Sequence, residues 1–197
     1  MITTKTYPAP PVCKREILRY AGVRGDDPSW EAQVEEILGE VLPLLSYRVC
    51  YTVLPVAAEG DCVDLGFLRS DSALLRNRLA GCDQAVVFAA TVGVGIDRLI
   101  ARAGVLAPSG ALLLQAVGAE RIEALCDAFM KDMASSHSIT GRFSPGYGDL
   151  PLEMQRKIFD LLEPPKHIGL TLNDSLLMSP TKSVTAIFGM KESLNTI

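Results

Sequence analysis

Gln84-Ala85-Val86-Val87-Phe88-Ala89-Ala90-Thr91 runs for eight positions without a charge or a turn-forming residue. A run this short, bounded by polar residues, reads as a strand. Successive side chains of a strand point to opposite faces, so one that is apolar at odd and even positions alike has to be covered on both sides. Downstream, Val92 to Ala103 turns through Gly93 and Gly95 into a helix. Upstream, Tyr47 to Val56 is β-branched and aromatic, a second strand, and Val63-Asp64-Leu65-Gly66-Phe67 continues the pattern.

Around these strands lie segments of helical period. Lys14 to Tyr20 reads as a short helix stopped by Gly22. Asp27-Pro28-Ser29 is a helix start, with Pro in the first turn and acids at the positive end of the dipole. Trp30, Val34, Ile37, Leu38, Val41, Leu42 and Leu45 then recur at amphipathic spacing. Ser72 to Leu79 and Pro151 to Leu162 are further helices. Pro108 to Ser135 is the longest, with Ile122, Leu125, Cys126, Phe129, Met130 and Met133 as its buried stripe. Strands are expected around Ile168 to Leu172 and Ser183 to Met190. Residues 1–12, rich in Thr and Pro, read as an extended N-terminal arm ahead of one domain over residues 13–197. Strands and helices mix without regular βαβ alternation. The expected class is α+β, a single domain with a bent, mainly antiparallel sheet flanked by helices.

The bulk numbers narrow the function. A chain of 197 residues with 48% hydrophobic and 21% charged residues is an ordinary globular protein with room for a large core. A net charge of −4 argues against a nucleic-acid partner, which needs a basic face. Ala85 to Ile96 is too short for the roughly 18 residues of a membrane helix, and the N-terminus lacks an apolar signal core. The cytoplasm is the expected location. Cys13, Cys50, Cys62, Cys82 and Cys126 are odd in number and scattered, as free thiols are, and most simply buried. No Cys-x-x-Cys pair exists, and His137 and His167 are the only histidines, so no metal site is expected.

The stretch with most chemistry is Arg142-Phe143-Ser144-Pro145-Gly146-Tyr147-Gly148-Asp149. Pro145 presets its own φ, Gly146 can supply the positive φ of a type II turn, and Gly148 is a second permissive position. Arg142 offers a planar donor fork for a carboxylate; Tyr147 offers a ring face and a hydroxyl. Together they suit a small anionic or zwitterionic ligand. The competing reading is a surface turn with a solvated Arg and a half-buried Tyr.

Other candidates are weaker. Thr91-Val92-Gly93-Val94-Gly95-Ile96-Asp97 lacks the third glycine of a dinucleotide loop and the Gly-Lys-Ser/Thr of a phosphate loop, so it reads as a tight strand-to-helix turn. Glu120, Glu123 and Asp127 share one helix face, a solvated one by default, from which Glu123 could meet a ligand's ammonium. Lys182 could add positive charge near an anionic ligand, or simply guard a strand edge. No Gly-x-Ser-x-Gly elbow is present.

Read in order, Arg-x-Ser-Pro-Gly-Tyr, then Leu150-Pro151-Leu152-Glu153-Met154-Gln155, Ile168-Gly169-Leu170-Thr171-Leu172 and Leu177-Met178-Ser179-Pro180-Thr181-Lys182-Ser183-Val184-Thr185-Ala186-Ile187-Phe188-Gly189 form a series that resembles the activation (reactivation) domain of vitamin B12-dependent methionine synthase. Lys14 to Gly22 and Phe88 to Gly93 look like the N-terminal parts of stand-alone proteins built from that domain. The resemblance implies an α+β fold that binds S-adenosylmethionine (AdoMet). It also implies a role in the reductive methylation of an oxidised corrinoid, cob(II)alamin, with an electron from a flavodoxin-type donor. Arg142 would then hold the AdoMet carboxylate, and the loop Ser144, Pro145, Gly146 and Tyr147 would line the ligand. Neither histidine sits in the Asp-x-His-x-x-Gly pattern of corrinoid-binding domains, so the cobalamin would come from a partner, a methionine synthase module or another corrinoid protein. No catalytic residue is implied; the chain would be an accessory to a methyltransferase. The alternative is a non-catalytic adaptor that docks such a partner without binding AdoMet. Ser136 stands where the family carries a Glu, and the family continues past the equivalent of Gly189. An independent AdoMet methyltransferase lacks its Rossmann-type turn here.

Overall fold

The apolar run is β6 (Gln84–Thr91), the middle strand of a five-stranded sheet in the computed structural model, which describes residues 1–23, 28–106 and 108–191. On one side β6 pairs antiparallel with β2 (Tyr47–Pro55), Tyr51 opposite Phe88; on the other it pairs with β10 (Ser183–Lys191), Ile187 opposite Val87. β1 (Thr3–Tyr7) closes one edge against β2 and β7 (Ser138–Ile139) the other against β10, so every pairing is antiparallel. Two small additions stand apart: β3 (Ala57–Glu59), β4 (Cys62–Asp64) and β5 (Arg69–Ser70) form a meander, and β8 (Thr171–Leu172) with β9 (Met178–Ser179) forms a hairpin.

Alternation along β6 divides the core in two. Val86, Phe88 and Ala90 face α1 (Lys14–Tyr20), α2 (Pro28–Val41), α4 (Gly95–Leu106) and α5 (Pro108–Ala134). There Phe129 of α5 sits 5.0 Å from the Phe88 ring and 6.0 Å from that of Phe188, the offset contacts aromatic rings favour. Ala85, Val87 and Ala89 face the other way, onto Leu75 and Leu79 of α3 (Ala73–Leu79) and Ile158, Phe159 and Leu162 of α6 (Met154–Leu162). A four-residue helix, α7 (Pro164–His167), follows α6. No described helix is long and apolar enough to cross a membrane.

Several expectations change in detail, each for a local reason. Within the extended segment at residues 1–12, Thr3–Tyr7 is an edge strand paired with β2. Gly66 takes φ 79° and donates to Asp64 Oδ1 at 2.7 Å, which ends β4 before Phe67. Gly169 takes φ 70° while Ile168 and Leu170 donate to the Pro164 carbonyl, leaving only Thr171–Leu172 as strand. Pro151 and Leu152 form a turn ahead of α6. Asp27, at the expected helix start, lies outside the described residues. The Thr91–Asp97 turn is a packing device: a Cβ on Gly93 or Gly95 would come within 2.4 Å of Ser46 Oγ or the Leu44 carbonyl. Among the thiols, Cys50, Cys82 and Cys126 are buried, but Cys13 is exposed and Cys62 intermediate.

Glu120 departs furthest from expectation. It is 4% exposed, not solvated, and pairs with Arg121, which has no exposed surface. Arg121 donates to Glu120 through Nε and Nη2, each at 2.6 Å, and to the Pro10 and Pro11 carbonyls at 2.6 and 2.7 Å; Glu120 Oε1 accepts the Cys13 amide at 3.0 Å. One buried ion pair thus fastens the link between β1 and α1 onto α5. Removing only the cation would strand a buried carboxylate, a change that costs about 3–5 kcal/mol. Arg121→Ala is expected to lose that much in chemical denaturation, whereas a fully apolar Glu120/Arg121 replacement loses far less. Equal losses in the two variants would show that packing, not the pair, is what matters.

Candidate ligand-binding site

Phe143 hangs from the sheet: it and Ile187 of β10 exchange N–H···O bonds of 2.8 and 2.9 Å. The chain then turns at Ser144–Tyr147, where the Tyr147 amide donates to the Ser144 carbonyl and Gly146 takes φ 88°. The Gly146 amide donates to the Leu150 carbonyl at 2.8 Å, closing the loop. Asp149 ties the far end to α3. Its carboxylate accepts from Ser72 Oγ and from the Ala73 amide at 2.7 Å, while Ser72 itself caps the helix through the Leu75 amide at 3.0 Å. Leu74 of α3 packs so closely that a Cβ on Gly148 would come within 2.2 Å of it.

The fixed loop forms one wall of a cleft of about 700 Å³. Arg142, Ser144, Pro145 and Tyr147 line it, as does Glu123 from α5. Arg142 Nη1 donates to Asp127 Oδ1 at 2.6 Å and reaches Met130 Sδ at 3.6 Å; Nη2 bonds Glu123 Oε2. Burial works against the guanidinium charge, but the Asp127 hydrogen bond and the neighbouring Cys126, Glu123 and Asp127 hold its pKa above the ordinary value. Burial pushes the adjoining Cys126 thiol up to about 12, so it stays an unreactive core residue. Tyr147 is 69% exposed, its ring standing open beside the cleft.

Of the remaining expected residues, Gly146 backs the turn against Leu152 rather than lining the cleft. Lys182 is not brought to the site. Its stem lies over Gly118 of α5, where a Cβ would come within 2.7 Å of Lys182 Cε, and burial lowers its pKa. Its neighbours Thr181 and Ser183 line the cleft instead.

The sequence reading missed several contributors. Arg78 of α3 adds a second guanidinium; Leu176, Leu177 and Met178 from the β8–β9 hairpin add an apolar wall. Leu176 takes φ 62°, an uncommon setting for a leucine, in a turn that Asn173 Oδ1 holds by accepting the Leu177 amide. Gln155 lines the cleft from α6. A polar residue at a stripe position of an apolar helix face was the signal available for Gln155. Nothing local marked Arg78. Another concavity, about 740 Å³, lies beside α6 and α7, but its Lys166 pairs with Glu163 and its Arg156 with the Asp174 carbonyl.

A sequence model of the family described as "Vitamin B12 dependent methionine synthase, activation domain" matches residues 126–195. No curated protein sequence matches the chain. A crystal structure of the MetH reactivation domain bound to AdoHcy (S-adenosylhomocysteine) is similar over 100% of this chain and 80% of that one, with a TM-score of 0.73 at 16% identity. The chain therefore resembles the activation domain in sequence over its C-terminal part and shares its α+β fold, a curled antiparallel sheet with helices, throughout.

Rigidity of the loop rests on an exposed carboxylate, which makes it pH-dependent. The Ser72 hydrogen bond, with the Leu74 and Ala73 amides, lowers the Asp149 pKa below the ordinary carboxylate value. A lowered folded-state pKa contributes stability that is fully present above the unfolded value of about 3.9 and disappears as the pH falls through the folded one. Asp149→Ala is expected to be less stable than the wild type at pH 7. The gap should narrow as the pH is taken below about 3.9. A gap that persists unchanged in acid would mean the carboxylate charge is not what holds the loop.

Proposed function

We propose that the chain is an AdoMet-binding reactivation module supporting the reductive methylation of a corrinoid held by a partner, either methionine synthase modules or another corrinoid protein. The observation that carries this is the pairing, in one cleft, of Glu123 on α5 with Arg142, whose loop lies within the stretch that the family model matches. The amino-acid end of AdoMet is a zwitterion. A guanidinium beside a carboxylate complements it, Arg142 taking the ligand carboxylate and Glu123 its ammonium. Three of the five guanidinium N–H groups are engaged by Asp127, Met130 and Glu123, so donors remain for a ligand. Phe143, Tyr147 and the Leu176–Met178 wall supply the apolar surface an adenosyl group needs.

AdoMet brings an already activated sulfonium methyl; the corrinoid is the acceptor and a flavodoxin-type protein the source of the electron. What this chain adds is alignment. The fixed Ser144–Tyr147 turn holds the ligand. The exposed side chains of Tyr147, Leu152 and Leu177 beside the cleft offer a rim for a docking partner. Because Glu123 and Asp127 stay largely hydrated at 41% and 71% side-chain exposure, loss of Arg142 leaves the fold intact.

Calorimetric titration with AdoMet tests the reading. Loss of a hydrogen-bonded charge partner costs about 2 kcal/mol or more, so Arg142→Ala is expected to weaken AdoMet at least about thirtyfold with unaltered thermal unfolding. Unchanged affinity in that variant would remove Arg142 from the site. No AdoMet binding by the wild type, repeated with a corrinoid protein present, would favour the adaptor.

A further inference from the structure

We infer that Gln155 reads the nucleobase of the bound ligand, an inference that rests on the AdoMet reading above. Gln155 lies in the first turn of α6, on the face that also buries Ile158, Phe159 and Leu162, and is 4% exposed. Its Nε2 is buried and has no hydrogen-bond acceptor among the described residues, yet the residue lines the ligand cleft. Buried amide donors are nearly always paired, because an unpaired one forfeits its hydration for nothing. Other polar groups nearby do not share this condition: Ser183 Oγ is within hydrogen-bond distance of both the Pro180 carbonyl and Thr91 Oγ1, and Thr181 Oγ1 donates to Asp97 Oδ1. An amide donor left without an acceptor, on a side chain that lines a cleft, is set up for a ligand.

The chemistry of the group narrows the ligand atoms. A carboxamide presents one donor and one acceptor side by side in a plane, and a half-turn of the amide exchanges them. That pair matches the adenine edge, where the N6 amine donates and an adjacent ring nitrogen accepts. The charged ends of the ligand are met elsewhere, by Arg142 and Glu123. Leu152, Leu176 and Met178, which line the same cleft, offer the apolar surface a flat heterocycle packs on. Gln155 is thus a specificity-determining residue for the base, kept at some expense to the ligand-free fold.

The test uses the full chain and two probes: AdoHcy, and its analogue carrying purine in place of adenine, without the N6 amine. The wild type is expected to bind AdoHcy about tenfold more tightly than the analogue, the loss of roughly one hydrogen bond to a paired edge. Gln155→Leu should bind both alike, at about the affinity the wild type has for the analogue. Arg142→Ala should weaken both probes while keeping their ratio. Thermal unfolding of ligand-free Gln155→Leu is expected to be unchanged or raised, because the variant removes an unpaired donor. Equal binding of the two probes by the wild type overturns the assignment of Gln155, whatever any variant does, and leaves the AdoMet reading standing. A ratio retained in Gln155→Leu overturns it as well. Binding of neither probe by the wild type removes the AdoMet reading and this inference together.

Discussion

Burial of β6 on both faces is the constraint from which the rest follows. A strand whose every residue from Ala85 to Thr91 is buried needs two partner strands for its backbone and two layers for its side chains. β2 and β10 meet the first need. α5 with its neighbours and α3 with α6 meet the second, and those two layers present the groups around the cleft. Glu123 comes from the α5 layer, Arg78 and Gln155 from the opposite one, and Arg142 from the loop that joins β7 to α6. The cleft exists where these layers meet at one side of β10.

The site is held by backbone and capping interactions rather than by its own side chains. The Phe143–Ile187 pairing registers the loop against the sheet, and Asp149 registers it against α3. Between those anchors, the Pro145-Gly146 turn has little conformational freedom left to lose when a ligand arrives. This is the economy of preorganisation: the entropy of ordering the loop is met in folding and does not fall on binding. Two glycines are required here: both take a positive φ, and at Gly148 Leu74 also leaves no room for a side chain.

Ionic groups divide by environment. Arg121 and Glu120 are wholly inside and serve only to bind the N-terminal segment to α5, each satisfied by the other and by backbone. Arg142, on the loop after β7, has carboxylate partners that remain hydrated and donors that remain available. The same residue types, two Arg–carboxylate clusters with carboxylates from the same helix, therefore do different work because water reaches one and not the other.

Sequence alone determined the parts governed by neighbours along the chain. An uninterrupted apolar run marked β6 and an apolar stripe marked the long α5, and the Pro-Gly turn with its flanking Arg and Tyr was recognisable because turn geometry is a property of four successive residues. The ordered motifs from Arg142 to Gly189 carried the family resemblance for the same reason. Tertiary structure decided what depends on residues far apart. Thr3–Tyr7 became a strand only because β2 offered an edge, and Glu120 left water only because Pro10 and Pro11 came to lie over Arg121. Lys182 came to lie over Gly118, outside the cleft lining, because α5 packs beside that segment. Arg78 and Gln155 entered the site from two helices whose distance from Arg142 in sequence says nothing of their distance in space. Local propensity has no access to such placements, because the free energy that fixes them comes from packing the layers on β6.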